Sequence, residues 1–382
     1  MPSNVPERCS RCILPLNLPG VTADETGTCT YCRSFESQHR PLTEEATQTL
    51  KARFERLIGK LKGRGQYDCL VPVSGGKDSM FALYVAAGMY GLKTLAFNMN
   101  NGFQSPVAAR NIERAVERLG VDLVVLRPSP KVMATLFRTF LTRAGEFCSP
   151  CNILIGAAAR RVAYEHRIPL GLSGNARRWS AGIRGMSVSQ HFSRAYYLNV
   201  VKGCTDLPGL APYLPESPRQ TDWRRLRGQK VLAVRVLEYI NPMKDELAAT
   251  LGRELGWEPP SEELEHGDCL LNPLKDHIVC RRWGVSETTA GYSAMVRNGK
   301  MTREEALREA EEEEMREAPA ILEPFLDHIG MSRAAFEQAI AERHFTDYSN
   351  VDTSLYARAS SAVWRAIGGA RGALAAVYHR FR

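Results

Sequence analysis

The sequence predicts an α/β protein: a parallel sheet with helices on both faces, preceded by a small metal-binding ribbon and followed by a helical C-terminal region. Three observations predict it. Between about residues 66 and 255, short apolar runs alternate with amphipathic stretches, the pattern of strand–helix units that pair in parallel. Two Cys-x2-Cys pairs, Cys9 with Cys12 and Cys29 with Cys32, open the chain with 16 residues between them. After about residue 280 the apolar positions recur mostly at helical spacing.

The elements follow in order. From Thr43, TEEATQTLKARFERLIGKLKGRG reads as an amphipathic helix that Thr43 can cap, with Glu44 and Glu45 suited to its first turn. DCLVPV reads as a strand and Ser79 to Tyr90 as a helix. KTLAFNM is a strand, SPVAARNIERAVERLG a helix and DLVVLR a strand. Helical stretches are expected around 131–144 and 152–166, then a strand at PLGLSG, a last strand at VLAVRVLEYI and a helix at MKDELAATLGREL. Residues 176–230, rich in Arg, Gly and Pro, show no clear period; their RQTDWRRLRGQK could bind phosphates, with a solvated loop as the favoured reading. The expected division is a ribbon over 1–40, an α/β domain over 41–280 and a helical region over 281–382. In the last of these, TREEALREAEEEEMREA reads as a charged helix with a solvated face, and the basic WRAIGGARGALAAVYHRFR as a terminal helix docked on the body.

Composition bounds the function. A chain of 382 residues can bury a sizeable core. It shows no targeting signal and no apolar run near the length of a membrane span, so a cytoplasmic enzyme is expected. The net charge of +8 suits an anionic ligand without selecting one. Ten cysteines in a reducing compartment point to metal binding or catalysis rather than disulfides.

The stretch VPVSGGKDSMFALYV carries the main chemical signal. A strand runs into Gly75 and Gly76, which allow positive φ and close approach of a ligand. A helix starts directly after them and presents its N–H groups and positive dipole end to the same place. The loop therefore reads as an anion cradle. It lacks the spacing of a Walker A loop. Asn98 closes the second strand, and Ser173, Gly174 and Asn175 close the fourth. Ligands in such sheets bind at the carboxyl ends of strands, so these are candidate nucleotide contacts; a strand-end cap for Asn98 and a plain turn for Gly174-Asn175 are the competing readings.

Ser74-Gly75-Gly76-Lys77-Asp78-Ser79 resembles the SGGxDS signature of the PP-loop ATP pyrophosphatases. That resemblance implies a Rossmann-like (HUP-type) sheet, with ATP and Mg2+ as cofactors and cleavage of ATP between its α- and β-phosphates. Ser74 to Ser79 would hold the pyrophosphate, with Lys77 and Asp78 as catalytic candidates. Many thiolases of this superfamily carry an acidic pair after the glycine matched by Gly174; here Arg177 and Arg178 follow instead, which leaves Asp78 as the one acid proposed for magnesium.

The cysteines form two groups. Cys9, Cys12, Cys29 and Cys32 have the spacing of a structural zinc ribbon, a closed four-thiolate site. The segment between the pairs is too short to bury a core, so Zn2+ would supply its folding energy. Cys148 and Cys151 in EFCSPCN, with the distant Cys269, resemble the trio that holds a [4Fe–4S] cluster in iron–sulfur PP-loop tRNA thiolases. A second zinc with His266 as its fourth ligand, or three unligated thiols, are the competing readings. Cys69 reads as a small core residue, and Cys204 and Cys280 have no spacing argument.

The segments CSRCILPLNLPGVTADETGTCTYC, YDCLVPVSGGKDS, FCSPCN and SAMVRNGKMTREEAL resemble the N-acetyl sugar amidotransferase family of surface-polysaccharide biosynthesis. Membership would imply adenylation of an acetamido oxygen of an N-acetyl sugar or nucleotide sugar, then displacement of AMP by ammonia. The ammonia would come from a separate glutaminase subunit, since the sequence shows no glutaminase constellation. A homo-oligomer is expected. The alternative is an iron–sulfur sulfurtransferase acting on tRNA or a small molecule.

Overall fold

The computed structural model describes residues 7–18, 20–38, 44–174, 194–202, 204, 216–240, 244–259, 267–314 and 318–341. Asn175, Arg177, Arg178, His266 and the basic C-terminal stretch lie outside these.

Five strands form one parallel sheet: β1 (Cys69–Pro72), β2 (Thr94–Met99), β3 (Asp122–Leu126), β4 (Leu170–Ser173) and β5 (Leu232–Arg235), in the order β3-β2-β1-β4-β5. Chain order thus reverses at β1, which pairs with β2 on one side and with β4 on the other. The crevice at such a reversal is where open α/β sheets bind ligands. The strand period of two decides what covers each face. Cys69, Val71 and Ala96 face a core shared with α2 (Glu44–Leu61), α3 (Lys77–Leu83), α4 (Pro106–Leu119) and α9 (Lys244–Leu255). Leu70, Leu95 and Phe97 face Ala158, Ala159 and Ala163 of α6 (Ser149–Glu165).

The helix ends are set locally. Ser105 Oγ accepts from Ala108 N at 3.1 Å, Pro106 begins α4, and Gly120 closes it at φ 60°. The helix expected from Ser79 begins two residues earlier, at Lys77. It continues as a π-helical segment over Tyr84–Met89, where Gly88 leaves room for the Tyr84 ring. The last strand is shorter than VLAVRVLEYI suggests. After Arg235 the chain turns into a 3-10 segment, Val236–Glu238, that buries Val236 and Leu237, and Tyr239 stacks on Phe54 at 5.5 Å. RQTDWRRLRGQK is not a loop: α8 (Pro218–Leu226) takes up most of it, with Trp223 and Leu226 exposed.

A second core joins α5 (Pro130–Ala144), α6, α10 (Asn272–Trp283), α13 (Leu322–Ile329) and α14 (Arg333–Ala341) through Phe137, Phe140, Leu274, Ile278, Phe325 and Phe336. Within α10, Ile278 packs into this second core while Val279 packs against the ribbon. The ribbon itself is held by α11 (Glu287–Arg297) and α12 (Arg303–Glu314). Ile13 is enclosed by Tyr292, Ala306 and Ala310, so the charged α12 has a buried small-residue side as well as its solvated face. Among the described residues no helix is long and apolar enough to cross a membrane.

Candidate functional site

The loop at the end of β1 sits at the reversal point. Gly75 has φ +88°, and a methyl group there would lie 2.3 Å from Ala108 O, so this position requires glycine twice over. Its carbonyl accepts from Trp257 Nε1 at 2.9 Å and from Asn111 Nδ2 at 3.3 Å. With that carbonyl tied toward α4, the planar trans peptide turns the Gly76 N–H the other way, where Ser74 Oγ accepts it at 3.4 Å. Ser79 closes the turn: its Oγ accepts from Ser74 N at 3.1 Å and donates to Gly76 O at 2.9 Å. Gly174, just past β4, approaches α3 so closely that a Cβ would lie 2.1 Å from Asp78 O. Lys77 and Asp78 are half-buried in the first turn of α3. Ser173 ends β4 beside them, half-buried.

Asn98 is buried, and its Nδ2 donates to Val73 O at 2.8 Å, so its amide secures the end of β1 under the loop, as a strand-end cap does. Its neighbour Asn101 lies beside the distant cysteines. Its Nδ2 lies 3.4 Å from Cys151 Sγ and 3.9 Å from Cys269 Sγ.

The three distant cysteines are thus brought to one region. Cys148 precedes α6 and Cys151 lies in its first turn, while Cys269 pairs with Gln104 in an isolated antiparallel bridge. Burial pushes the Cys148 thiol well above its ordinary range, with Lys275 pulling the other way. It pushes Cys151 up to about 12 and raises Cys269. Thiols so desolvated stay protonated until a cation binds them. Glu146 lies beneath them, 4 % exposed, and accepts from Ser149 N at 3.0 Å and from Tyr196 Oη at 2.9 Å. Desolvation raises its carboxyl to about 7.

The ribbon quartet is tighter. Cys9, Cys12, Cys29 and Cys32 are all buried, with their sulfurs within 4.8 Å of one another. Cys9 and Cys32 sulfurs are 3.9 Å apart, as are those of Cys12 and Cys29. Four thiolates at about 2.3 Å from a tetrahedral zinc would be separated by roughly 3.8 Å, so the donor set fits that ion. The amides of Arg11 and Cys29 lie 3.4 and 3.2 Å from Cys9 Sγ, and Leu14 N and Arg297 Nη1 each lie 3.5 Å from Cys12 Sγ. Arg303 reaches the carbonyls of Cys12 and Cys9 at 3.2 and 3.3 Å. Hydrogen bonds from Cys12 and Cys32 hold the Cys29 thiol below its ordinary range, and the same closeness raises Cys32.

Sequence reasoning did not single out Asn101, Glu146, Asn111, Trp257 or Asp268. Two of them carried a signal: Asn101 stands in the same NMNNG strand end as Asn98, and Glu146 is an acid directly before a Cys-x2-Cys pair. Trp257 and Asn111 reach the loop only through the fold.

The strand order and the glycine-bound loop at its reversal point define a Rossmann-like parallel α/β protein, with Cys269 in the segment that borders the loop. Comparison with known proteins adds the following. Residues 268–361 match a family described as LPS biosynthesis protein WbpG-like, C-terminal domain. The chain is similar to the uncharacterized protein MJ1599 of Methanocaldococcus jannaschii, 27 % identical over 136 residues, which is 33 % of this chain and 48 % of that protein. It therefore spans about half the length of the curated relative it matches. Among solved structures, the U34-tRNA thiolase NcsA from Methanococcus maripaludis with its [4Fe-4S] cluster overlays at TM-score 0.34 and 16 % identity, over 77 % of this chain and 86 % of that one. NMN synthetase from Francisella tularensis overlays at TM-score 0.38 and 15 % identity, over 77 % and 95 %. Overlays this loose carry no inference about mechanism.

Proposed function

We propose that this protein adenylates a carbonyl oxygen with ATP, releases pyrophosphate, and replaces AMP with nitrogen on an N-acetyl sugar or nucleotide sugar. The observation that carries the first step is the Ser74–Ser79 loop seated at the sheet's reversal point. Its backbone N–H groups suit a pyrophosphate whose negative charge grows as it leaves. The WbpG-like match over residues 268–361 supports a surface-polysaccharide sugar as acceptor.

The amide oxygen attacks the α-phosphorus as the bond to the β-phosphate oxygen breaks, and the electron pair leaves with pyrophosphate. The amide N–H proton is lost, giving an O-adenylyl imidate. Ammonia then adds to the imidate carbon, and the C–O bond breaks with departure of AMP, leaving an amidine. Lys77, in the first turn of α3, would offset phosphate charge. The ribbon quartet would hold zinc, which supplies folding energy rather than chemistry. The ammonia would come from a separate glutaminase subunit.

A second reading has its own observation. Asn101 lies against both Cys151 and Cys269, and Cys148 stands three residues before Cys151 at the start of α6. Three thiols from distant parts of the chain suit the cysteine ligation of an iron–sulfur cluster, and such a site would favour sulfur insertion into tRNA or a small molecule. One experiment separates the two. A nucleotide-linked N-acetyl sugar carrying 18O in the acetamido carbonyl is incubated with ATP and either ammonium or sulfide. The amidotransferase reading expects 18O in AMP and an amidine with ammonium alone; product formed only with sulfide would favour the thiolase. AMP without 18O would overturn adenylation of this acceptor.

A further inference from the structure

We propose that Asp268 is a ligand of the divalent cation that accompanies the nucleotide's β- and γ-phosphates. The proposal rests on the adenylation reading and assigns a residue to a role for which the sequence offered Asp78 alone.

The segment 267–270 is pinned across the end of the β2–α4 connection. Ser105 N donates to Asp268 O at 3.1 Å, Leu270 N donates to Phe103 O at 2.9 Å, and Gln104 and Cys269 form the bridge between them. Ser105, which also caps α4, donates its hydroxyl to Gly267 O. Extended pairing sends successive side chains to opposite sides. Cys269 accordingly turns toward Asn101 and the cysteines, and Asp268 turns toward the phosphate loop. A methyl group on Gly76 would meet Asp268 Oδ2 at 3.5 Å and its Cβ at 3.6 Å.

The two carboxylate oxygens differ. Oδ1 accepts from Asn272 Nδ2 at 3.2 Å, which fixes the rotamer. Oδ2 has no hydrogen-bond partner among the described residues and lies beside the backbone of an anion cradle. A carboxylate there repels a bound pyrophosphate unless a cation lies between them. Magnesium sites on nucleotides have this composition: one or two carboxylates, phosphate oxygens and water. The stretch after Gly174 offers Arg177 and Arg178 in place of acids, so the carboxylate arrives from the other end of the domain, joined in sequence to the third cysteine.

The test is calorimetric titration of the full chain with inorganic pyrophosphate, with excess MgCl2 and with EDTA, for wild type and Asp268→Asn. Asparagine keeps the acceptor for Asn272 and removes the charge. The expected result is that Asp268→Asn weakens binding in magnesium at least tenfold, while metal-free pyrophosphate binds as well as to wild type or better. Asp268→Ser, smaller and still an acceptor, repeats the measurement should the first variant fold poorly. Equal affinity of wild type and both variants in magnesium would overturn the proposal, as would equal weakening with and without the metal. Wild type that binds pyrophosphate under neither condition would overturn the adenylation reading itself, a result distinct from either.

Discussion

The two cysteine groups of this chain are built to opposite specifications. The ribbon quartet is fully enclosed and drawn to tetrahedral spacing, and N–H groups and two arginines of α11 and α12 surround it. Nothing in it is left open to a ligand. The trio of Cys148, Cys151 and Cys269 is only partly enclosed, and Asn101 lies against the sulfurs of Cys151 and Cys269. The difference separates a closed four-thiolate set, suited to a structural metal, from thiols left partly open. It also explains the division of labour among the C-terminal helices: α11 and α12 complete the ribbon, while the segment before α10 completes the site.

The largest effect should follow from breaking the ribbon. Cys29→Ser should remove the metal expected there and cut soluble yield together, because four-thiolate binding would add about 10 kcal/mol of folding energy to the packing of the ribbon on α11 and α12; full zinc content by elemental analysis in that variant would sink the assignment. Next are the loop glycines, which sort themselves. Gly174→Ala forces a methyl group to 2.1 Å from Asp78 O and should distort the β4–α3 contact, lowering both thermal stability and ATP binding. Gly76→Ala meets only ordinary contacts, the tightest at 3.4 Å to Ser74 Oγ. It should melt within a few degrees of wild type yet bind pyrophosphate at least tenfold more weakly, because its methyl group projects where phosphate must approach.

Cys269→Ala sharpens the contrast with the ribbon. It should cost about 1 kcal/mol of stability, as a half-buried thiol replaced by a methyl group, and leave the ribbon metal and ATP binding in place while abolishing any metal held by the trio. Metal content and absorbance of anaerobically purified protein check this. Smallest is Arg297→Ala. Removing a charged donor from Cys12 should speed transfer of ribbon metal to a chelator by tenfold or so, with Arg303→Ala loosening α12 in hydrogen exchange instead.

Much of this was legible in the sequence because it is local. The alternation of strands and helices, the SGGKDS turn and the paired Cys-x2-Cys spacing are each short-range patterns with one geometric solution. What was not legible depends on contacts across the chain. Asn98 and Asn101 are equivalent by sequence, both near the end of β2. Only the pleat and the packing of Val73 decide that the first secures the backbone and the second faces the cysteines. Trp257 reaches Gly75 across 182 residues, and Asp268 reaches Gly76 from a comparable distance. The buried side of α12 was hidden for another reason: Ala306 and Ala310 are too small to stand out in a run of glutamates, yet they are what the ribbon's Ile13 packs against.

The central claim is cleavage of ATP between its α- and β-phosphates at the Ser74–Ser79 loop. It is tested most directly by incubating the protein, a nucleotide-linked N-acetyl sugar and ammonium with ATP labelled at the α-phosphate in one reaction and at the γ-phosphate in another. The account predicts the first label in AMP and the second in pyrophosphate, both lost in Gly76→Ala. Label recovered in ADP and inorganic phosphate would contradict it.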